Sequence, residues 1–185
     1  MRKLAVGLLV VVVALSVVVG VQAFVSRGQH NVKAAPLSGY NETPAINSPG
    51  TGSFSATIDD QQQTISYTLT YSGLSSSATQ AHIHFGNRFS SQGISLFLCS
   101  NLGNGPAGTP ACPAGGGTVT GTLHPADVVG PAAQGIPAGA AGWPAIVKAI
   151  RAGVAYANVH TVNFPAGEIR AQVNGHGPGR GHGPH

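Results

Sequence analysis

The apolar positions of the chain follow more than one period. From Leu4 to Val21 the sequence is an uncharged apolar run. From residue 52 onward the period is two: Phe54, Ala56 and Ile58 alternate with Ser53, Ser55 and Thr57, and Ile65, Tyr67, Leu69 and Tyr71 alternate with Ser66, Thr68 and Thr70. Alternation of this kind predicts two half-buried strands. Asp59, Asp60 and the following glutamines supply turn chemistry, so the two pair as a β-hairpin. The same alternation at 81–85, 94–98, 118–123, 154–161 and 168–173 brings the count to about seven strands, which predicts a mainly β chain built as a Greek-key β-sandwich or small barrel.

One segment breaks the period. Trp143-Pro144-Ala145-Ile146-Val147-Lys148-Ala149-Ile150-Arg151 places Pro at a first helical position and is followed by Gly153, which predicts one short helix across an end of the β structure. Residues 24–35 are polar and irregular and read as a tether. Residues 175–185 alternate Gly with His176, His182 and other residues and end on His185, so this tail is expected to be disordered, either solubilising or loosely metal-gathering.

Arg2 and Lys3 ahead of the apolar run, and Val21-Gln22-Ala23 closing it, read as a signal peptide over 1–23. The run would span about 27 Å as a helix, close to the ~30 Å of a bilayer core, so an uncleaved anchor through 4–21 is the other reading. Either places the remainder outside the cytoplasm, secreted, periplasmic or on the cell surface. The rest of the chain is long enough to bury about 70 % of its unfolded surface in a single domain. Charged residues make up only 8 % of the sequence, and loss of Arg2 and Lys3 would take the formal charge from +4 to +2. The basic residues form no cluster, which excludes nucleic acid as a partner. Cys99 and Cys112 flank a Gly/Pro/Ala-rich loop and read first as a disulfide in an oxidising compartment, and second as a metal-binding pair of unusual spacing.

Successive side chains on a strand face opposite sides, so the alternation also sorts the histidines. Ala81, Ile83 and Phe85 claim the core and turn His82 and His84 outward, about 6 to 7 Å apart. Ala155, Ala157 and Val159 turn Tyr156, Asn158 and His160 outward; Ile169, Ala171 and Val173 do the same for Glu168, Arg170 and Gln172. If these strands are neighbours, three imidazoles converge on one half-solvated face, and imidazole suits copper, zinc, iron or nickel. The alternative is that the histidines pair with Thr and Glu side chains to order the sheet surface. His124, before Pro125, reads as a strand-end residue.

Several blocks, taken in order, resemble the CHRD (chordin-repeat) domain family of secreted proteins: Leu37-Ser38-Gly39-Tyr40-Asn41-Glu42-Thr43-Pro44, Tyr67-Thr68-Leu69-Thr70-Tyr71-Ser72-Gly73-Leu74, Ala81-His82-Ile83-His84, Gly153-Val154-Ala155-Tyr156-Ala157-Asn158-Val159-His160-Thr161, and Pro165-Ala166-Gly167-Glu168-Ile169-Arg170-Ala171-Gln172. The resemblance implies an immunoglobulin-like β-barrel or sandwich over 36–174 and no general enzymatic activity. His82-Ile83-His84-Phe85-Gly86 is also distantly similar to the His-x-His copper strand of copper-zinc superoxide dismutase, although no zinc-loop histidine cluster follows.

Two functions are therefore expected. The first is an extracytoplasmic metal-binding module with His82, His84 and His160 as ligands, Glu168 or Asn158 orienting them, copper as first choice and zinc as second; an open coordination position would allow redox chemistry. The second is a non-catalytic cell-surface or matrix module that binds protein or polysaccharide through its polar face. Paired carboxylates, a Gly-x-Ser-x-Gly elbow and a phosphate loop are all missing, which argues against a hydrolase. Asn41-Glu42-Thr43 fits a glycosylation sequon.

Overall fold

The computed structural model describes residues 28–175; the apolar leader, the first part of the expected tether and the tail from 176 lie outside the described residues. Among the described residues nine strands form a single sheet: β1 (Gln29–Ser38), β2 (Thr51–Asp59), β3 (Thr64–Ser72), β4 (Ala78–Phe85), β5 (Ile94–Ser100), β6 (Gly117–Leu123), β7 (Ala155–Thr161), β8 (Ile169–Gln172) and β9 (Asn174–Gly175). The order is β5-β4-β7-β8-β1-β2-β3-β6, with β9 paired to β1 and every pairing antiparallel. The sheet curls until its edges, β5 and β6, approach each other, giving a nearly closed barrel.

The predicted hairpin is β2–β3, in register from Thr51↔Ser72 to Asp59↔Thr64. Its turn is held by Asp59, whose Oδ1 accepts the N–H groups of Gln61 and Gln62 at 2.9 Å each. Helix α1 (Trp143–Arg151) has the predicted bounds, with Pro in its first turn. It buries Trp143, Ile146, Val147, Ala149 and Ile150, and Arg151 ties its end to the hairpin by donating to both carboxylate oxygens of Asp60 at 2.8 and 2.9 Å.

The expected tether is corrected from Gln29 onward, because this stretch is the long strand β1, paired with β2 from Gln29↔Asp59 to Ser38↔Thr51. Val32, Ala34 and Leu37 are buried, but the register slips between Ala34 and Leu37. That irregularity, at Pro36, puts two residues where period two allows one and hides the strand from a pattern reading. Gly175, expected as the first residue of the tail, is likewise strand, closing β9 with Asn174.

The two walls of the barrel differ in solvation. On β2, β3 and β6 one face packs inward and the other stays wet, as the run Ile65, Tyr67, Leu69, Tyr71 against Ser66, Thr68, Thr70 shows. On β4, β5, β7 and β8 nearly every residue is buried, and β7 has no exposed position. That wall is dry on both faces, so a second layer must cover its outside.

At the open seam, the Tyr67 hydroxyl on β3 donates to the Leu98 carbonyl on β5 at 2.5 Å. Gly121 on β6 makes room for it, since a Cβ there would stand 2.6 Å from that hydroxyl. The Cys99–Cys112 disulfide joins β5 to the loop leading into β6, as the first reading expected; the metal-binding cysteine pair is thereby overturned, because both sulfurs are consumed. The Asn101 side chain braces the same loop through the Ala78 and Cys112 carbonyls and the Cys112 N–H, each at 3.0 Å. Closing a loop of this length should stabilise the fold by about 3 kcal/mol. The Cys99→Ala/Cys112→Ala double variant is expected to lose about that much in urea denaturation while retaining the β-sheet circular dichroism of the parent.

Candidate metal centre

Cross-strand register brings the expected ligands together. On the outer face of the dry wall, β4 and β7 pair His82 with Asn158, His84 with Tyr156, and Gln80 with His160. β5 sets Phe97 beside His82, and β8 sets Arg170 beside Asn158 and Gln172 beside Tyr156. His82, His84 and His160 thus form one cluster whose candidate ligand atoms all lie within 4.8 Å of one another. The facing read from the sequence is correct.

The solvation is not. The three histidines are 0 %, 5 % and 4 % exposed rather than half-solvated. Their cover is a roof of two loops, 39–50 and 86–93, and the turn 162–167, and Arg170 anchors the first two. Its Nε donates to the Asn41 carbonyl at 2.5 Å, Nη1 to the Ser90 carbonyl at 2.9 Å, and Nη2 to the Arg88 carbonyl at 2.8 Å and to Thr43 Oγ1. Ser91 Oγ ties the two loops together by donating to the Thr43 carbonyl at 2.8 Å. The Arg170 guanidinium also lies 4.7 Å from the Tyr156 ring centroid, and Tyr156 stacks on His84 at 4.8 Å with 3° between the planes. Phe97 meets His82 edge to face at 4.4 Å. The rings are therefore walled by aromatic and cationic groups.

Backbone carbonyls orient two of the imidazoles. His84 Nδ1 lies 2.8 Å from the Gln92 carbonyl and His160 Nδ1 3.0 Å from the Pro165 carbonyl. A carbonyl only accepts, so both Nδ1 atoms carry the proton and both Nε2 atoms keep a lone pair. His82 Nδ1 is 3.1 Å from His160 Nε2, and with that lone pair as acceptor His82 is also an Nδ1–H tautomer. All three rings are neutral. Burial, reinforced by the other two imidazoles, pushes the His82 pKa down to about 2; burial, then His160, pushes His84 down to about 4. His160 is also lowered by burial, with the Pro165 carbonyl opposing.

Glu168 does not orient the histidines and is corrected here. Its carboxylate accepts from Ser48 Oγ at 2.5 Å, from Ser75 N at 2.7 Å and Oγ at 2.9 Å, and from Thr161 Oγ1 at 2.7 Å. Burial would raise its pKa, but these hydrogen bonds outweigh it and hold the group below the usual carboxylate value. It fastens loops and leaves the imidazoles to the carbonyls. Asn158 lies beside the cluster. It sits across from His82 under Gly167, whose φ of +127° and lack of a Cβ let the backbone approach; a Cβ there would stand 2.6 Å from the Asn158 amide nitrogen.

The residue that pattern reading missed is Glu42, seen in the sequence only within the first family-like block and a sequon, with no role of its own. It is 8 % exposed in the roof, with Oε2 3.8 Å from Arg170 Nε. That distance is too long for a hydrogen bond, because the guanidinium has spent its donors on carbonyls and a hydroxyl. Burial therefore raises its pKa to about 7 against the pull of Arg170, the Asn158 side chain and the Thr43 backbone. A lone acid in an otherwise acid-poor opening block was its one sequence signal. Glu42 Oε1, Asn158 Oδ1, His82 Nε2 and His84 Nε2 are all buried polar atoms without a hydrogen-bond partner. Buried polar groups normally find a partner, so these four atoms are open acceptors in the layer, and the histidine cluster among them could hold a metal ion.

Fold and cluster together define a β-barrel module carrying a buried tri-histidine centre. The family model of the CHRD domain matches residues 33–173, and the chain belongs to that family. No curated protein and no solved structure matches the chain.

The buried ionisable groups fix a pH profile for the ion-free protein. Below pH 6.5 the unfolded chain protonates its histidines while folded His82 and His84 stay neutral, so stability falls as pH falls, by about 1.4 kcal/mol per unit for each group. Glu42 acts with opposite sign: its folded pKa of about 7 exceeds the ordinary 4.5, so the folded form takes its proton first and gains stability as pH falls from 7 to 4.5. The histidines outnumber it. Thermal melts are expected to show a midpoint that declines from pH 6.5 to 4, most steeply below 4.5, and that declines less in His82→Phe; a midpoint constant over that range would contradict neutral buried imidazoles.

Proposed function

We propose that this protein is an extracytoplasmic metal-binding CHRD module, with His84 and His160 ligating through Nε2 and His82 through Nδ1. The observation that carries the reading is the 3.1 Å separation of His82 Nδ1 and His160 Nε2. Two metal–nitrogen bonds of 2.0–2.1 Å at about 100° give that same spacing. Closing the widest gap from 4.8 Å needs ring rotations of roughly an ångström. The tautomers favour it, since two Nε2 lone pairs are presented already and only His82 must exchange its Nδ1 proton for the ion. The unpartnered Oδ1 of Asn158, on the residue paired with His82, is an acceptor for the proton that then moves to His82 Nε2. Imidazole-only donors suit copper first and zinc second. Location outside the cytoplasm is supported by the Cys99–Cys112 disulfide and by the N-terminal leader pattern.

A second reading, an adhesive module for a protein or polysaccharide, is favoured by the wet wall. Its outer face is a ladder of hydroxyls from β2, β3 and β6 bordered by Asn31 and Lys33, forming a shallow concavity of about 720 Å³. Its hydroxyls already pair across strands, Thr70 with Thr118 at 2.9 Å and Ser66 with Thr122 at 3.3 Å, so they present less unmet demand than the histidine layer. The ion-binding reading is the stronger one.

Purified protein titrated with copper(II) or zinc(II) is expected to bind near one equivalent that survives desalting. At an ion concentration about a hundredfold above Kd the midpoint should rise by about 5–10 °C. His82→Ala and His160→Ala should each abolish that rise. Persistence of tight stoichiometric metal in both variants would remove the site, and a midpoint indifferent to either ion in the parent would favour the adhesive reading.

A further inference from the structure

Three neutral imidazoles bring no negative charge, and the layer they share already holds the buried cation of Arg170. A divalent ion placed there adds two more positive charges in a dry environment, which is costly without a compensating anion. The chain has five acidic residues to supply one. Asp59 holds the β2–β3 turn, Asp60 is paired with Arg151, and Asp127 accepts from the His124 N–H. Both carboxylate oxygens of Glu168 are already engaged, by Ser48, by the Ser75 N–H and hydroxyl, and by Thr161. That leaves Glu42.

Its geometry fits the task. Glu42 is buried beside Arg170 and Asn158, whose strand partner is His82; it carries an unpartnered Oε1, and its Oε2 lies 3.8 Å from Arg170 Nε, beyond hydrogen-bond reach. The charges of Arg170 and Glu42 both reach Tyr156, the ring stacked on His84, and that of Arg170 reaches His84 itself. We infer that Glu42 is the counter-charge of the tri-histidine centre and sets which ions it accepts, stabilising a divalent cation about twice as much as a monovalent one. The inference rests on the ion-binding reading above and assigns Glu42 as a specificity-determining residue that acts through its charge rather than by ligation.

The test compares zinc(II) and silver(I), two filled-shell ions that differ in charge, by isothermal titration of the full chain in chloride-free buffer. Binding at the buried centre is taken as the part lost in His82→Ala. In Glu42→Gln, zinc affinity is expected to fall about 10–100-fold, the usual effect of losing a partner behind the ligands, and silver affinity by about the square root of that, roughly 3–10-fold. Glu42→Asp keeps the charge and is expected to hold zinc within about tenfold and silver within about threefold. An equal loss of both ions in either variant overturns the charge role, and the Asp variant decides this even where Glu42→Gln is too unstable to measure. Unchanged zinc affinity in Glu42→Gln also overturns it while the centre stands. A parent chain that binds neither ion refutes the centre itself.

Discussion

The buried guanidinium of Arg170 is the interaction on which the functional face depends. Removing a cation from water is affordable only if its donors are met, and here they are met by carbonyls and a hydroxyl from two separate loops rather than by a carboxylate. This choice of partners has two consequences. The loops are drawn down over β4, β7 and β8, which makes an interior of what would be a wet sheet face. The positive charge also survives inside that interior, because dipoles solvate it without cancelling it. The depressed His84 and the raised Glu42 are both products of that dry, uncompensated layer.

The barrel therefore has two interiors of different kinds. Inside the curl, Leu37, Ile58, Leu69, Ile83, Leu96 and Ile169 pack as an ordinary apolar core. Outside the β4–β7–β8 wall lies a second dry layer of imidazoles, phenol, amide and guanidinium, whose cohesion comes from directed hydrogen bonds and ring stacking rather than from apolar area. Such a layer is rigid only if each member is satisfied. Its unmet atoms, gathered on Glu42, Asn158, His82 and His84, thus stand out against a well-satisfied background.

How much of this was legible follows from the range over which each feature is determined. Facing is local, so alternation placed His82, His84 and His160 on one face and Ile83 and Val159 on the other without knowledge of the partner strands. The helix was equally plain, marked by Pro144 and Gly153. Burial of the histidines was hidden, because it depends on Arg170 reaching Asn41 and Thr43 far back in the chain, and no window of sequence contains that contact. Strand β1 was hidden for a local reason, a bulge that shifts the phase between Ala34 and Leu37. Glu168 was misassigned because its position on the outer face is a matter of period, whereas its partners Ser48, Ser75 and Thr161 come from three different segments.

Keeping the imidazoles neutral and dry has an energetic logic for ion binding. In water a histidine cluster near neutral pH competes with protons, and part of any ion's affinity is spent displacing them. Here burial removes that competition in advance, and the Gln92 and Pro165 carbonyls fix which nitrogen of His84 and His160 is free. For an ion held there, the cost would move elsewhere, to the charge that it carries into a layer of low polarity. Ligand count and spacing alone then cannot rank the ions, since donors of one neutral type follow the general order in which copper(II) exceeds zinc. What distinguishes this pocket from three histidines on a surface is its electrostatic surroundings, and those are written by one buried arginine whose hydrogen bonds go to carbonyls and a hydroxyl, and one buried glutamate 3.8 Å from it.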